Sequence, residues 1–176
     1  MDDLKEVNVE FANLRIRLPK LYRKYSGAEY VSELRSLYEG GRDTGYIEAI
    51  ERLNNSGQAF DLCADTTSLI DYVIIADVPR IDLNKRIVRE YTNMLEQSMY
   101  EMYDGLEVKY KRLESKFIKT TNNKVIKVKY VIDTGYSNEY ATSYIIATPD
   151  NTFVVNVKNQ TPQDFEDQVV RLRFNF

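Results

Sequence analysis

The chain has 176 residues, 43% hydrophobic and 29% charged, a balance that excludes wholesale disorder and leaves enough apolar material for a sizeable core. With no His and one Cys, Cys63, it lacks the commonest general base near neutral pH and can form neither an intrachain disulfide nor a thiolate zinc cluster. A net charge of −3 disfavours general nucleic-acid binding, which calls for a basic excess or a concentrated basic stripe.

Residues 1–8 are mostly polar and read as a flexible start ahead of one domain over 9–176. The opening Met1-Asp2-Asp3-Leu4-Lys5 is unlike a signal peptide. It implies a cytoplasmic protein if this start is native, and a periplasmic or envelope-anchored one if a leader was removed. From Val9 the pattern changes. Leu14, Ile16 and Leu18 alternate with Arg15 and Arg17, predicting a strand with one buried face that ends at Pro19.

Val31, Leu34, Leu37 and Tyr38 stand at helical spacing and predict a helix over 28–39, stopped by Gly40-Gly41. A second helix, 43–54, carries Tyr46, Ile47, Ile50 and Leu53 on one stripe and breaks at Asn54-Asn55-Ser56-Gly57. Strands are expected at 58–64 and 69–78, the latter so continuously apolar that both of its faces should be covered. Asp82 offers an N-cap for the longest helix, 83–103, with Leu83, Ile87, Tyr91, Leu95 and Met102 on one stripe and Asp104-Gly105 closing it.

The remainder reads as a meander with strands near 106–119, 124–133, 139–148 and 152–158. Ile126, Val128, Tyr130 and Ile132 face one way, Lys127 and Lys129 the other. In the preceding segment the apolar parity slips, predicting a bulge or break near Arg112–Ser115. Thr161-Pro162-Gln163-Asp164 has the chemistry of a helix start, with Phe165, Val169 and Leu172 as the apolar face that follows. Helices segregated over an antiparallel sheet make this an α+β chain, a twisted antiparallel sheet flanked by helices in an α/β/α sandwich.

The layout resembles the PsbP-like fold family. The resemblance lies in the opening strand Leu14-Arg15-Ile16-Arg17-Leu18-Pro19 and in the apolar strand Asp71-Tyr72-Val73-Ile74-Ile75-Ala76 ahead of the long helix. It continues through the meander to Phe153-Val154-Val155-Asn156-Val157, then Thr161-Pro162-Gln163-Asp164-Phe165 and the terminal Phe174-Asn175-Phe176. The helical material at 28–54 is longer than the family pattern. The resemblance implies a non-enzymatic accessory or chaperone-like protein that binds another protein, in a secretion or envelope-associated assembly, and it carries over no functional residue.

The residues themselves leave three functional readings open. Cys63 lies beside Asp61 and Asp65, which raise a thiol pKa rather than activate it, so it reads as structural. Asp61, Asp65, Asp71, Asp77 and Asp82 match no calcium-loop spacing and read as turn and solvent-face carboxylates, so no metal, no cofactor and no catalytic residue is assigned. A carboxylate- or metal-dependent enzyme is the least favoured reading. The abundant Tyr, 14 residues, suits sheets and binding surfaces alike. One local bias stands out: Lys109, Lys111, Arg112, Lys116, Lys119, Lys124, Lys127 and Lys129 are interleaved with Tyr110, Phe117 and Tyr130. Lys109, Lys111, Lys127, Lys129, Tyr110 and Tyr130 are therefore the candidate binding residues, for an acidic protein surface or an anionic ligand such as single-stranded nucleic acid. The competing reading is that these lysines coat a solvent face and guard against edge-to-edge aggregation.

Overall fold

Successive side chains of a strand point to opposite faces. In the meander Val125 and Ile146 go to one face of an antiparallel ladder while Ile126, Val128 and Ile145 go to the other, so both faces are buried. The computed structural model describes residues 3–37 and 44–174. Its elements are β1 (Leu4–Val9), β2 (Leu14–Pro19), β3 (Tyr22–Tyr25), α1 (Gly27–Leu37), α2 (Thr44–Asn55), β4 (Phe60–Asp65), β5 (Ser68–Val78) and α3 (Ile87–Tyr103). They continue with β6 (Lys109–Lys119), β7 (Lys124–Asp133), β8 (Asn138–Ala147), β9 (Thr152–Asn159), the short α4 (Glu166–Val170) and β10 (Arg173–Phe174). Seven strands form one sheet in the order β3-β4-β5-β9-β8-β7-β6, and β1-β2-β10 form a second, smaller one. The expected helix stop at Gly40-Gly41, and Tyr38 before it, lie outside the described residues.

The register shows how the layers sit. Ile74, Asn156, Ser143 and Val128 lie side by side across β5, β9, β8 and β7, so they share one face. On that face Ile74 packs with Tyr30, Val31, Leu34 and Ile50 of α1 and α2, while Val128 packs with Tyr91 of α3, Tyr130 and Ile145. Three helices thus cover one face in two blocks, α1 and α2 over the β3–β5 half and α3 over the β6–β8 half. On the opposite face, Leu14, Ile16 and Leu18 of β2 are completely buried against Val73, Ile75, Val125, Ile146, Phe153 and Val155, together with Phe165 and Val169 around α4. The architecture is α+β, an antiparallel sheet flanked by helices. β5 is covered on both faces, as its apolar run demands.

The bulge expected near Arg112–Ser115 sits at Leu113: Arg112 pairs with Tyr130 and Glu114 with Lys129, leaving Leu113 without an opposite residue. Other local expectations are corrected. Residues 4–8, part of the stretch 1–8 read as a flexible start, belong with Val9 to β1 and pair with β2 along its length. β3 adds a strand beyond those expected, with Arg23 and Lys24 at its centre in place of an apolar alternation. α3 starts at Ile87 rather than 83, without a side-chain cap. Asp82 instead binds Lys124 Nζ at 2.6 Å, and Asn84 Oδ1 accepts the Arg86 N–H at 2.9 Å. Nor does Thr161-Pro162 start the last helix. α4 begins at Glu166, after Phe165 in a left-handed conformation (φ 58°). The intervening segment is tied to the sheet: the Tyr144 hydroxyl donates to the Asp164 carbonyl at 2.9 Å, and Lys129 donates to the Pro162 carbonyl.

Candidate functional site

Strand parity puts Lys109, Lys111, Lys127 and Lys129 on the face opposite α3, because they pair with or alternate alongside Asp133 and Val131. That face is covered, so the lysines meet different fates. Lys109 and Lys111 are exposed. Lys127, placed by its sequence pattern on a solvent face, has a side chain only 3% exposed. Its ammonium lies 2.6 Å from Glu114, 2.8 Å from Asp164 and 2.5 Å from Glu166. Lys129 is mostly buried and binds Asp164 at 2.7 Å, and Lys116 binds Glu114 at 2.7 Å and Glu166 at 2.8 Å.

Burial opposes the charge of Lys127, but hydrogen bonds to Asp164, Glu114 and Glu166 outweigh it and hold its pKa above the ordinary lysine value. The same balance runs in reverse on the acids. Burial would raise Asp164, Glu114 and Glu166, and the lysines around them hold all three below the usual carboxylate range. These three acids are close enough together to hold a metal ion. The Lys127 ammonium already lies among them and supplies the compensating charge.

Tyr110 and Tyr130 belong to the other face. Their rings meet edge to face at 6.3 Å, and Tyr103 of α3 lies 6.3 Å from Tyr110. Burial, then the Glu96 carboxylate, pushes the Tyr130 hydroxyl well above its ordinary pKa. The pair holds α3 against the sheet. The six candidate residues therefore do not form one surface: two are exposed, two are held by carboxylates and two lie beneath a helix.

What the edge does offer is a groove between the start of α3 and β6, lined by Lys85, Arg89, Thr92, Arg112, Leu113 and Ser115. Thr92 and Ser115 share a hydrogen bond of 2.9 Å, and Arg112 donates to Glu96 at 3.0 Å. Among the described residues, Lys85 and Arg89 have no carboxylate partner. Leu113 is 48% exposed, and Tyr100, Met102 and Leu106 on the neighbouring helix end and loop are exposed as well. Sequence reasoning passed over Lys85 and Arg89, although their four-residue spacing marks one side of the helix start. The slip of parity in the sequence marks the bulge, but nothing local marks the bulged Leu113 as exposed.

The remaining chemical candidates disperse. Cys63 is buried, and burial followed by the Asp61 charge pushes its thiol up to about 11, which leaves it protonated and unreactive at neutral pH. Asp61 binds Lys24 at 2.6 Å, Asp65 accepts from the Thr67 N–H at 2.7 Å, Asp71 accepts from the Gln160 N–H at 2.8 Å, and Asp77 is exposed. With Asp82 on Lys124, these five carboxylates engage separate partners or solvent.

No family model matches the chain, and no curated protein matches it. Among solved structures it is similar to cyanobacterial PsbP (CyanoP) from Synechocystis sp. PCC 6803. The TM-score is 0.61 over 99% of this chain and 94% of that one, at 8% identity. The chain has a PsbP-like fold, and at that identity the likeness extends to the fold alone.

Proposed function

We propose that this PsbP-like fold serves as a non-catalytic, protein-binding accessory module whose docking surface is the edge formed by α3 and β6. One juxtaposition carries the reading. An edge strand, exposed apolar side chains and cations without acid partners occur together there, in a chain of net charge −3. Elsewhere the sheet faces are covered by helices or by the small sheet, apart from the gap at Asn156 between the two helical blocks. The buried, protonated Cys63 and the dispersed aspartates fit a role without covalent chemistry. A nucleic-acid interface would draw on the same basic strands, but two of its lysines, Lys127 and Lys129, are engaged with carboxylates.

Site-specific photo-crosslinking in the native host tests the proposal. A crosslinking residue replacing the exposed Leu113 should give a discrete protein adduct, while one replacing Glu48, exposed on α2, should not. The adduct should weaken with Lys109→Glu and Lys111→Glu. Equal adducts from positions 113 and 48, or none from 113, would overturn it.

A further inference from the structure

We infer that the α3–β6 groove receives an extended, acidic segment of the partner, which pairs with the outer edge of β6 and sets a carboxylate between Lys85 and Arg89. This rests on the reading of that edge as a docking surface.

β6 is the terminal strand of the seven-stranded sheet and runs for 11 residues, Lys109–Lys119. In an antiparallel ladder every second residue of such a strand turns its N–H and C=O outward. No described strand pairs with β6 on that side. These groups are a template for a further strand, and main-chain hydrogen bonds of this kind supply affinity without demanding a particular sequence.

Charge selects what the template accepts. Lys109, Lys111 and Lys119 are exposed along β6, so a second copy adding its own β6 would bring lysines together and be repelled. Lys85, in the turn before α3, and Arg89, in its first turn, line the groove beside the strand. The positive end of the helix macrodipole reinforces them. The groove's own acid, Glu114, is bound by Lys116 at 2.7 Å and by Lys127 at 2.6 Å, so its charge is compensated. An acidic strand is thus favoured over a basic one, mainly through selectivity and association rate. Leu113 adds an apolar contact at the bulge, which divides the edge into two regular stretches.

The test uses the full chain and four fluorescein-labelled probes. These are a short peptide alternating valine with glutamate, its lysine counterpart, the glutamate peptide with central prolines, and oligo-dT. Anisotropy should show binding of the glutamate peptide alone, with amide exchange slowed at Lys109–Lys119. The double variant Lys85→Glu, Arg89→Glu should weaken that binding at least about tenfold. Both side chains are exposed, so its thermal melt should match the parent. Equal binding of the lysine peptide, preference for oligo-dT, or protection away from β6 would each overturn the inference. A Leu113 adduct in the host, with no glutamate-peptide protection of β6, defeats this inference and leaves the docking surface standing. Failure of both assays removes the two together.

Discussion

A lysine ammonium taken out of water loses several kcal/mol of hydration, and it stays buried only where carboxylates and hydrogen bonds offset that loss. Lys127 meets the condition with Glu114 from β6, with Asp164 just before α4 and with Glu166 at its start. Lys127→Met keeps the stem and removes the charge, leaving three acids within 4.8 Å of one another with Lys116 and Lys129 as their remaining cations. The expected loss at pH 7 is about 3 kcal/mol, read as a lower urea midpoint at unchanged m. The pH dependence carries a sign. In the parent, the depressed carboxylates contribute stability above their unfolded values near ~4, and it is lost as pH falls through the lower folded values. Lys127, held high, contributes below its unfolded value near ~10.4, and that share is lost as pH rises through the folded one. In the variant the acids repel one another, so protonation relieves the folded state. The deficit against the parent should shrink between pH 7 and about 5. A deficit constant across that window would show that packing, not charge, sets the role of Lys127.

Among the elements, β6 carries the one irregularity that bears on binding. Arg112 pairs with Tyr130 and Glu114 with Lys129, which is adjacent to Tyr130. Deleting Leu113 would therefore close the ladder with both halves keeping their faces. Because Leu113 is exposed and unpaired, the deletion should cost within about 1 kcal/mol in urea unfolding while weakening the binding of the glutamate peptide, which loses the apolar contact at the bulge. A loss of several kcal/mol would mean that the bulge holds α3 and β6 together. The bulge was legible as a slip of parity, and so was the apolar stripe of α3, because both are local periods. The start of α3 was not, because Asp82 is captured by Lys124, 42 residues along the chain, and no local rule records that competition. Lys127 was misplaced for the same reason. Alternation assigned it the correct face, but its cover and its acid Glu166, 39 residues away, come from the far end of the chain. β1 and β3 carry little local signal, because Lys5, Glu6, Asn8, Arg23 and Lys24 break their apolar alternation.

On the scale of the molecule, the two faces of the sheet are held in unequal ways. The face under β2 has one continuous core, in which Leu14, Ile16, Leu18, Val125, Ile146 and Val155 are all 0% exposed. The helical face is divided into two clusters, and between them Asn156 of the middle strand β9 reaches solvent. A core that is continuous across β2, β5, β7, β8 and β9 can be breached only by disrupting the whole, whereas a separate cluster at one edge can open by itself. The α1–α2 block rests on that edge, over the four-residue β3, with Leu37 exposed at the end of α1. Native-state amide exchange should therefore show α1 and α2 opening at a lower free energy than β5, β8 and β9, whose central amides exchange only on global unfolding. Mild urea should accelerate the strands, which open with large surface exposure, more steeply than the two helices. Equal protection and equal urea dependence in α1, α2 and the central strands would show that the helical face is coupled through the sheet into one cooperative unit. In that case a ligand on β6 would alter exchange at α1 and α2 as well. With separable blocks, its effect stops at α3 and the strands beneath it.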